Sequence, residues 1–281
     1  MTMQQPEIGK TVTAAGVRTN YHEAGSGPPL LLIHGSGPGV SAYANWRLNL
    51  PVLGESFRVL APDMLGFGFT EWPREPIRDT SAWVRHLLGF LDALKLDKVS
   101  IVGNSFGGAL TLAFMIAHPD RVERAVLMGP AGLEFPITPA LDFIWGYTPS
   151  LEKMKQTVAY LANDQARVTD ELVRSRYEAS LRPGVFEAYS ALFGETPRQK
   201  HIAMLASDPE KIRQLPHEVL LLHGKEDQVI PLEVSIRLAG LIRRADLCAL
   251  ADCGHWVQIE RFASFNRLVM DFVKDGLAVQ F

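Results

Sequence analysis

The sequence has few cysteines, no long apolar run and almost no excess of either charge. Cys248 and Cys253 are its only cysteines, which argues against a disulfide framework or a zinc cluster and fits a reducing compartment. No apolar run approaches the roughly 20 residues that span a membrane, and MTMQQPEIGKTVTAAG lacks the apolar region of a secretory signal. We therefore expect a cytoplasmic protein with no membrane partner.

Charge and composition also narrow the class of partner. The chain has 28 lysines and arginines against 31 acidic residues, a net charge of −3, and no basic block that would indicate nucleic-acid binding. Its 281 residues, 47% of them hydrophobic, suit a single α/β unit that carries an insertion. The expected partner is a small molecule.

Short apolar runs alternate with helical segments along the chain. The runs PLLLIHG, FRVLAPDM, KVSIVGNS, RAVLMGP and EVLLLHG are continuously apolar, which is typical of strands buried on both faces of a parallel sheet. Helical spacing of apolar residues between Thr80 and Leu96 predicts a crossover helix with Thr80 as its N-cap. The alternation predicts the α/β class, with a mostly parallel, doubly wound sheet.

The alternation stops after Gly132. Residues 135–206 are helical in character and contain no convincing strand. We predict that they form a helical lid inserted into a core domain of residues 1–134 and 207–281, and that this lid covers the site.

A serine lies between two glycines at a predicted junction of strand and helix. Gly103-Asn104-Ser105-Phe106-Gly107 matches G-x-S-x-G, in which a strained turn exposes the serine oxygen and the helix directs its N-terminal amides at the site. The pentapeptide alone is also compatible with a simple turn, but its context favours a nucleophile.

An acid and a histidine follow the serine in the required order. Asp227 lies in the polar loop after LLLHG, and His255 follows a later strand in CGHW, so the order is Ser105, Asp227, His255. Glu226 is the alternative acid. We expect the Ser105 oxygen within hydrogen-bond reach of His255, and His255 in contact with Asp227.

The fourth element is the glycine-rich loop in LLIHGSGPG, residues 31–39. We predict that the backbone amides of Ser36 and Phe106 form an oxyanion hole. The loop matches neither a dinucleotide fingerprint nor a phosphate-binding loop. His34 within it is interpreted as a structural histidine.

The chain resembles the α/β-hydrolase superfamily over nearly its whole length, and within it the meta-cleavage product hydrolases. The resemblance rests on GVRTNYHEAGSG, IHGSGPGVSAYANWR, APDMLGFGFT, GNSFGGAL, WGYTPS, RYEASLRPG, HGKEDQVIP and CGHWVQIE. It implies an α/β-hydrolase fold and hydrolysis of a carbon–carbon bond in 2-hydroxy-6-oxohexa-2,4-dienoates in bacterial aromatic catabolism. It also implies no cofactor, no metal and a homo-oligomer.

The resemblance also implies how the substrate is held. A guanidinium and amide donors suit the carboxylate and 2-oxo group of a dienoate. The alternative interpretation of Arg182 is a solvated lid charge, since Arg174 and Arg176 lie in the same segment. The implied substrate-binding residues are Asn45, Asn104, Arg182 and Trp256.

Other functions use the same catalytic residues. A carboxylesterase or lactonase needs only the triad and the oxyanion hole, whereas a non-catalytic binding protein on this fold should lack a triad member. The group at C6 of the substrate, which can be hydrogen, alkyl or aryl, stays open, although GSGPGVSAYANW resembles the alkyl-side members of the family more closely. The expected acyl-side walls are Phe143, Ile144, Trp145, Leu192, Phe193 and Val229.

Overall fold

An eight-stranded, mostly parallel sheet forms the centre of the computed structural model, which describes residues 5–73 and 76–278. Its spatial order is β1-β2-β4-β3-β5-β6-β7-β8. The strands β4, β3, β5, β6, β7 and β8 pair in parallel, whereas β2 pairs antiparallel with both β1 and β4. The strands are Lys10–Ala14 (β1), Val17–Ala24 (β2), Pro29–Ile33 (β3), Arg58–Pro62 (β4), Val99–Asn104 (β5), Val122–Met128 (β6), Glu218–Gly224 (β7) and Ala245–Leu250 (β8).

Helices cover both faces of this sheet, which explains why the inner strands β3 to β7 are mostly apolar. In β3, Leu31 and Ile33 enter one core cluster, and Leu30 and Leu32 enter the other, because successive side chains of a strand point to opposite faces. The helices that cover the sheet are Ala42–Trp46 (α1), Asn49–Leu53 (α2), Ser81–Ala93 (α3), Phe106–Ala117 (α4), Pro209–Arg213 (α10), Leu232–Leu241 (α11), Val257–Glu260 (α12) and Phe262–Asp275 (α13).

Five helices lie within the segment predicted as the lid. The segment follows β6, and its side chains Leu141, Ile144, Met154 and Val158 line a cavity that also reaches Ser105. The helices are Pro139–Trp145 (α5), Leu151–Leu161 (α6), Asp170–Ser180 (α7), Val185–Phe193 (α8) and Gln199–Leu205 (α9).

The crossover helix predicted after Thr80 is α3, which begins at Ser81. Thr80 occupies the N-cap position, but its side chain makes no capping hydrogen bond. The carboxylate of Asp79 instead accepts a hydrogen bond from the backbone N–H of Ser81 over 2.8 Å, which satisfies one of the free amides of the first turn.

Within the described ranges, no helix has both the length and the apolar character needed to cross a membrane.

Candidate active site

Ser105 lies at a tight turn between β5 and α4. Its backbone has φ 55° and ψ −114°, a strained conformation for a residue with a side chain. The turn permits no side chain at the flanking glycines, because a Cβ on Gly103 would overlap the carbonyl oxygen of Gly107 and a Cβ on Gly107 would overlap that of Ile33. The backbone N–H of Ser105 donates to the carbonyl oxygen of Met128 over 2.9 Å, which ties the turn to the end of β6.

An aspartate and a histidine pair beside this turn. Asp227 follows β7 and His255 follows β8, and Nδ1 of His255 donates to Oδ2 of Asp227 over 2.7 Å. Both side chains are almost completely buried, with exposed fractions of 1% and 4%. This bond directs the lone pair of His255 Nε2 away from Asp227, as a general base requires. The rival acid Glu226 instead accepts from the backbone N–H of Cys253 over 2.9 Å.

The environment of Asp227 keeps its carboxylate ionised. Burial by itself raises the pKa of Asp227, but the charge of His255 and hydrogen bonds from His223 and His255 outweigh burial and hold that pKa well below its usual range. Oδ1 also accepts from the backbone N–H groups of Val229 and Ile230 over 2.8 and 3.0 Å. The carboxylate can therefore orient His255 and stabilise its protonated form.

Ser105 and His255 line the same cavity. Among the hydrogen bonds of the described residues, however, none joins Ser105 Oγ to His255, so the expected contact between them is absent from this structure. Such bonds often tighten only when substrate is bound.

The glycine-rich loop after β3 lies against the serine turn. A Cβ on Gly35 would lie 3.0 Å from Oδ1 of Asn104 and 3.5 Å from Cβ of Ser105. Ser36 lines the cavity, and its hydroxyl oxygen accepts from Nε1 of Trp145 over 3.2 Å. Phe106 is the first residue of α4. The amides assigned to the oxyanion hole therefore belong to two segments that pack against each other.

His34 has the structural role expected for it. Nε2 accepts from the backbone N–H of Met64 over 3.0 Å, so Nδ1 carries the proton that is donated to the carbonyl oxygen of Gly35 over 2.8 Å. Burial lowers the pKa of His34 to about 4. The neutral ring thus connects the glycine-rich loop to the end of β4.

The cavity has a volume of about 660 Å³, and both apolar and polar side chains line it. The apolar lining residues include Leu141, Ile144, Met154, Val158, Leu161, Val229 and Trp256. The polar lining residues, called the polar part of the cavity below, include Glu7, Asn45, Arg47, Asn104, Arg167, Glu171, Arg176 and Gln258. Of the acyl-side walls expected from the sequence, Ile144 and Val229 line the cavity, whereas Phe143, Trp145, Leu192 and Phe193 do not.

Three of the four predicted substrate-binding residues line this cavity. They are Asn45, Asn104 and Trp256. Nδ2 of Asn45 is buried without a hydrogen-bond partner, so it is free to bind a ligand. Nδ2 of Asn104 makes a long hydrogen bond of 3.4 Å to the carbonyl oxygen of Met128.

The structure places the predicted Arg182 outside the cavity lining and Arg176 within it. Nε of Arg182 donates to the carbonyl oxygen of Ala179 over 3.1 Å, and its guanidinium lies 4.1 Å from the ring centre of Phe69. Arg176 belongs to α7, whereas Arg182 follows the end of that helix. Six helical residues turn the chain through about 600°, so the two side chains would point in different directions even on a continued helix.

Arg176 carries its charge in a desolvated position. Burial lowers the pKa of Arg176 to about 10, with a further lowering from Arg47 and Arg182 and an opposing effect from Glu7. Its Nε is buried without a hydrogen-bond partner. The group is therefore a cation at neutral pH with an unused donor, which suits a carboxylate ligand.

Sequence reasoning missed Gln258 and Glu7. Gln258 is fully buried, lines the cavity, and has neither a donor nor an acceptor for its side-chain amide. Its position three residues after His255 was a signal that could have indicated it. Glu7 comes from the amino-terminal segment, and nothing in its local sequence indicated that it reaches the cavity.

No cluster of three or more histidine, cysteine, aspartate or glutamate side chains suited to a metal occurs in the part of the chain that the structure describes.

Comparison with known proteins identifies the family. A model of the alpha/beta hydrolase fold family matches residues 28–262. The chain is 53% identical to a 2-hydroxymuconate semialdehyde hydrolase of Pseudomonas sp. (strain CF600), over 96% of this chain and 95% of that protein. It is 52% identical to a 2-hydroxy-6-oxo-2,4-heptadienoate hydrolase of Pseudomonas putida, over 97% of this chain and 99% of that protein.

Solved structures agree with this identification. The meta-cleavage product hydrolase CumD of Pseudomonas fluorescens IP01, a serine-to-alanine mutant complexed with acetates, superimposes with a TM-score of 0.95 at 53% identity. The match covers 96% of this chain and 99% of that one. The chain therefore belongs to the α/β-hydrolase fold family and, within it, to the meta-cleavage product hydrolases.

Proposed function

We propose that this protein hydrolyses the C5–C6 bond of 2-hydroxy-6-oxohexa-2,4-dienoates, giving 2-hydroxypenta-2,4-dienoate and a carboxylic acid. The observation that carries the proposal is one cavity that joins Ser105 and the Asp227–His255 pair to a buried arginine with an unused donor. An ordinary esterase has no need of that cation. The activities named for the relatives that are 53% and 52% identical are of the same type.

Cleavage of this bond requires an electron sink. A carbon leaving group departs with the bonding electron pair, and in the dienol form of the substrate that pair has no carbonyl to enter. Transfer of the 2-hydroxyl proton to C5 converts the dienol into a 2-oxo form, whose conjugated carbonyl can accept the electrons. We assign this proton transfer to His255, which lines the cavity together with Ser105.

Ser105 then attacks the C6 carbonyl carbon. His255 Nε2 takes the serine proton, and the carbonyl oxygen becomes an oxyanion that the amides of Ser36 and Phe106 stabilise. Collapse of this tetrahedral intermediate breaks the C5–C6 bond. The electron pair moves to the 2-oxo oxygen and forms the dienolate, which recovers a proton. Water hydrolyses the acyl-serine and restores the enzyme. In the rival route water adds to C6 directly and no acyl-enzyme forms.

The carboxylate and the 2-oxo oxygen occupy the polar part of the cavity. Arg47, Arg167 and Arg176 line the cavity, and of these Arg176 has a buried Nε without a hydrogen-bond partner. Nδ2 of Asn45 and the amide of Gln258 also have free donors there. Because buried donors without partners cost free energy until a ligand satisfies them, these groups favour an anionic, oxygen-rich ligand. In this proposal Arg176, and not Arg182, binds the carboxylate.

We further propose that the preferred substituent at C6 is hydrogen or methyl. The relatives named for the semialdehyde and the heptadienoate are 53% and 52% identical, whereas hydrolases named for the 6-phenyl substrate are 31% and 30% identical. A cytoplasmic location and a homo-oligomeric state also stay proposals, and light scattering on the purified protein tests the second.

Three substrates assayed side by side test the function. Steady-state kcat/KM should be highest for the 6-methyl dienoate or the semialdehyde, lower for the 6-phenyl dienoate and lowest for nitrophenyl acetate. Preference for the ester would replace the carbon–carbon hydrolase with a carboxylesterase. Preference for the 6-phenyl dienoate would leave the reaction intact and overturn only the substituent assignment.

A further inference from the structure

The segment around Glu7 is fastened to the core. The carbonyl oxygen of Glu7 accepts from Nδ2 of Asn20 over 3.1 Å and lies 3.1 Å from Nε2 of His22. The backbone N–H of Gly9 donates to Oδ1 of Asn20 over 2.8 Å. Two side chains of β2 thus hold the backbone from the carbonyl of Glu7 to Gly9, which limits where the Glu7 side chain can reach.

The Glu7 carboxylate enters the catalytic cavity. Only 15% of its side chain is exposed, and the residue lines the same cavity as Ser105. Its Oε2 accepts from the hydroxyl of Ser41 over 2.5 Å and lies 4.0 Å from Nη1 of Arg182. Ser41 is the N-cap of α1, the helix that carries Asn45.

Positive charge exceeds negative charge in this part of the protein. Three arginines (Arg47, Arg167 and Arg176) and two glutamates (Glu7 and Glu171) line the cavity. Both terminal nitrogens of Arg182 are buried without a hydrogen-bond partner. The carboxylate of Glu7 raises the pKa of both Arg176 and Arg182 against the lowering caused by burial, and Asp63 also raises that of Arg182. Glu7 is therefore an internal anion that lines the same cavity as Arg176, the arginine to which the ligand carboxylate is assigned, and acts on its charge.

We propose that Glu7 is a specificity-determining residue, whose carboxylate offsets part of this positive charge and so weakens the binding of a ligand carboxylate. The inference rests on the proposed function, because it takes the ligand to be a dienoate. The reaction keeps the dienoate carboxylate on its product, 2-hydroxypenta-2,4-dienoate. Without the Glu7 carboxylate, Arg176 would bind that product more tightly, so Glu7 lowers the affinity and speeds product release.

A purely structural role for Glu7 makes a different prediction. If the side chain only fastens the segment through Ser41, Glu7→Gln should behave like the wild type, since an amide oxygen still accepts from the hydroxyl. If the charge matters, Glu7→Gln and Glu7→Ala should both bind the dienoate more tightly, whereas Glu7→Asp should stay close to the wild type. The matched control is Glu55→Gln, which removes a charge from an exposed residue outside the cavity lining.

The experiment is a calorimetric titration with 2-hydroxy-6-oxohepta-2,4-dienoate. Each variant is made in a Ser105→Ala background, so that the ligand is bound without turnover. We expect Kd to fall about threefold to thirtyfold for Glu7→Gln and Glu7→Ala at low salt, and this difference to shrink in 1 M salt. Steady-state product inhibition of the Glu7→Gln enzyme with intact Ser105 should strengthen by a similar factor.

The outcomes separate this inference from the function on which it rests. An unchanged or higher Kd for Glu7→Gln and Glu7→Ala, together with weaker binding for Arg176→Ala, would overturn the role of Glu7 alone. An unchanged Kd for Arg176→Ala would overturn the carboxylate site itself. Tighter binding for Glu55→Gln as well would show a general charge effect and would also overturn the inference.

Discussion

Arg176→Ala separates the carbon–carbon hydrolase from an esterase. Nε of Arg176 is buried in the cavity lining without a hydrogen-bond partner, so the substitution breaks no hydrogen bond of that atom. A charge-assisted hydrogen bond contributes about 1.5 to 3 kcal/mol, and a factor of ten corresponds to about 1.4 kcal/mol. Removing one such hydrogen bond from the transition state therefore lowers kcat/KM by roughly tenfold to a hundredfold, and removing a second lowers it further.

The assay compares a dienoate with a neutral ester in the same enzyme preparations. With the 6-methyl dienoate, kcat/KM should fall by that factor, whereas with nitrophenyl acetate, which has no carboxylate, it should change by no more than about threefold. Arg182→Ala is the matched control, since it removes an identical side chain six residues away that does not line the cavity. Arg182→Ala should lower kcat/KM for the dienoate much less than Arg176→Ala does.

Two results would refute this reasoning. An equal loss of kcat/KM on both substrates would mean that Arg176 supports the fold and does not bind the substrate carboxylate. A larger loss for Arg182→Ala than for Arg176→Ala would restore Arg182 as the carboxylate partner and would overturn the assignment to Arg176.

Three further predictions concern the nucleophile, its turn and the response to pH. Ser105→Ala should lower kcat on both substrates by at least about a thousandfold while calorimetry still detects dienoate binding; retained turnover would exclude serine catalysis. Gly103→Ala should lower the midpoint of denaturant unfolding, because the new Cβ would overlap the carbonyl oxygen of Gly107. An unchanged midpoint would show that the turn can accommodate this Cβ. Burial lowers the pKa of His34 and of His86 to about 4. Each histidine therefore contributes up to about 3 kcal/mol to the free energy of unfolding above pH 6.5, and this contribution is lost as the pH falls towards 4. Asp63 offsets part of this loss, because burial raises its pKa to about 6. Urea unfolding at pH 7 and pH 5 should show the loss, and His86→Asn should reduce it; an equal loss in that variant would contradict the assignment.

Local features of the sequence were sufficient to indicate the candidate catalytic residues. The continuous apolar runs correspond to β3, β4, β5, β6 and β7, because strands buried on both faces carry no alternation. The turn at Ser105 is encoded by its neighbouring glycines, and Asp227 and His255 each lie in the loop that follows a strand. The antiparallel hairpin of β1 and β2 was not predicted.

The polar part of the cavity could not be predicted from local sequence, because residues from distant segments meet there. Arg176 and Arg182 are equally basic and close in the sequence, and only the end of α7 at Ser180 and the packing of the lid decide which of them lines the cavity. Glu7 lines the cavity because Asn20 and His22 hold its backbone carbonyl in place. The sequence by itself determined the fold class and the order of the catalytic residues, since strand burial and turn strain act over a few neighbouring residues. Tertiary structure alone decided which charges face the ligand, since that depends on contacts between segments far apart in the chain.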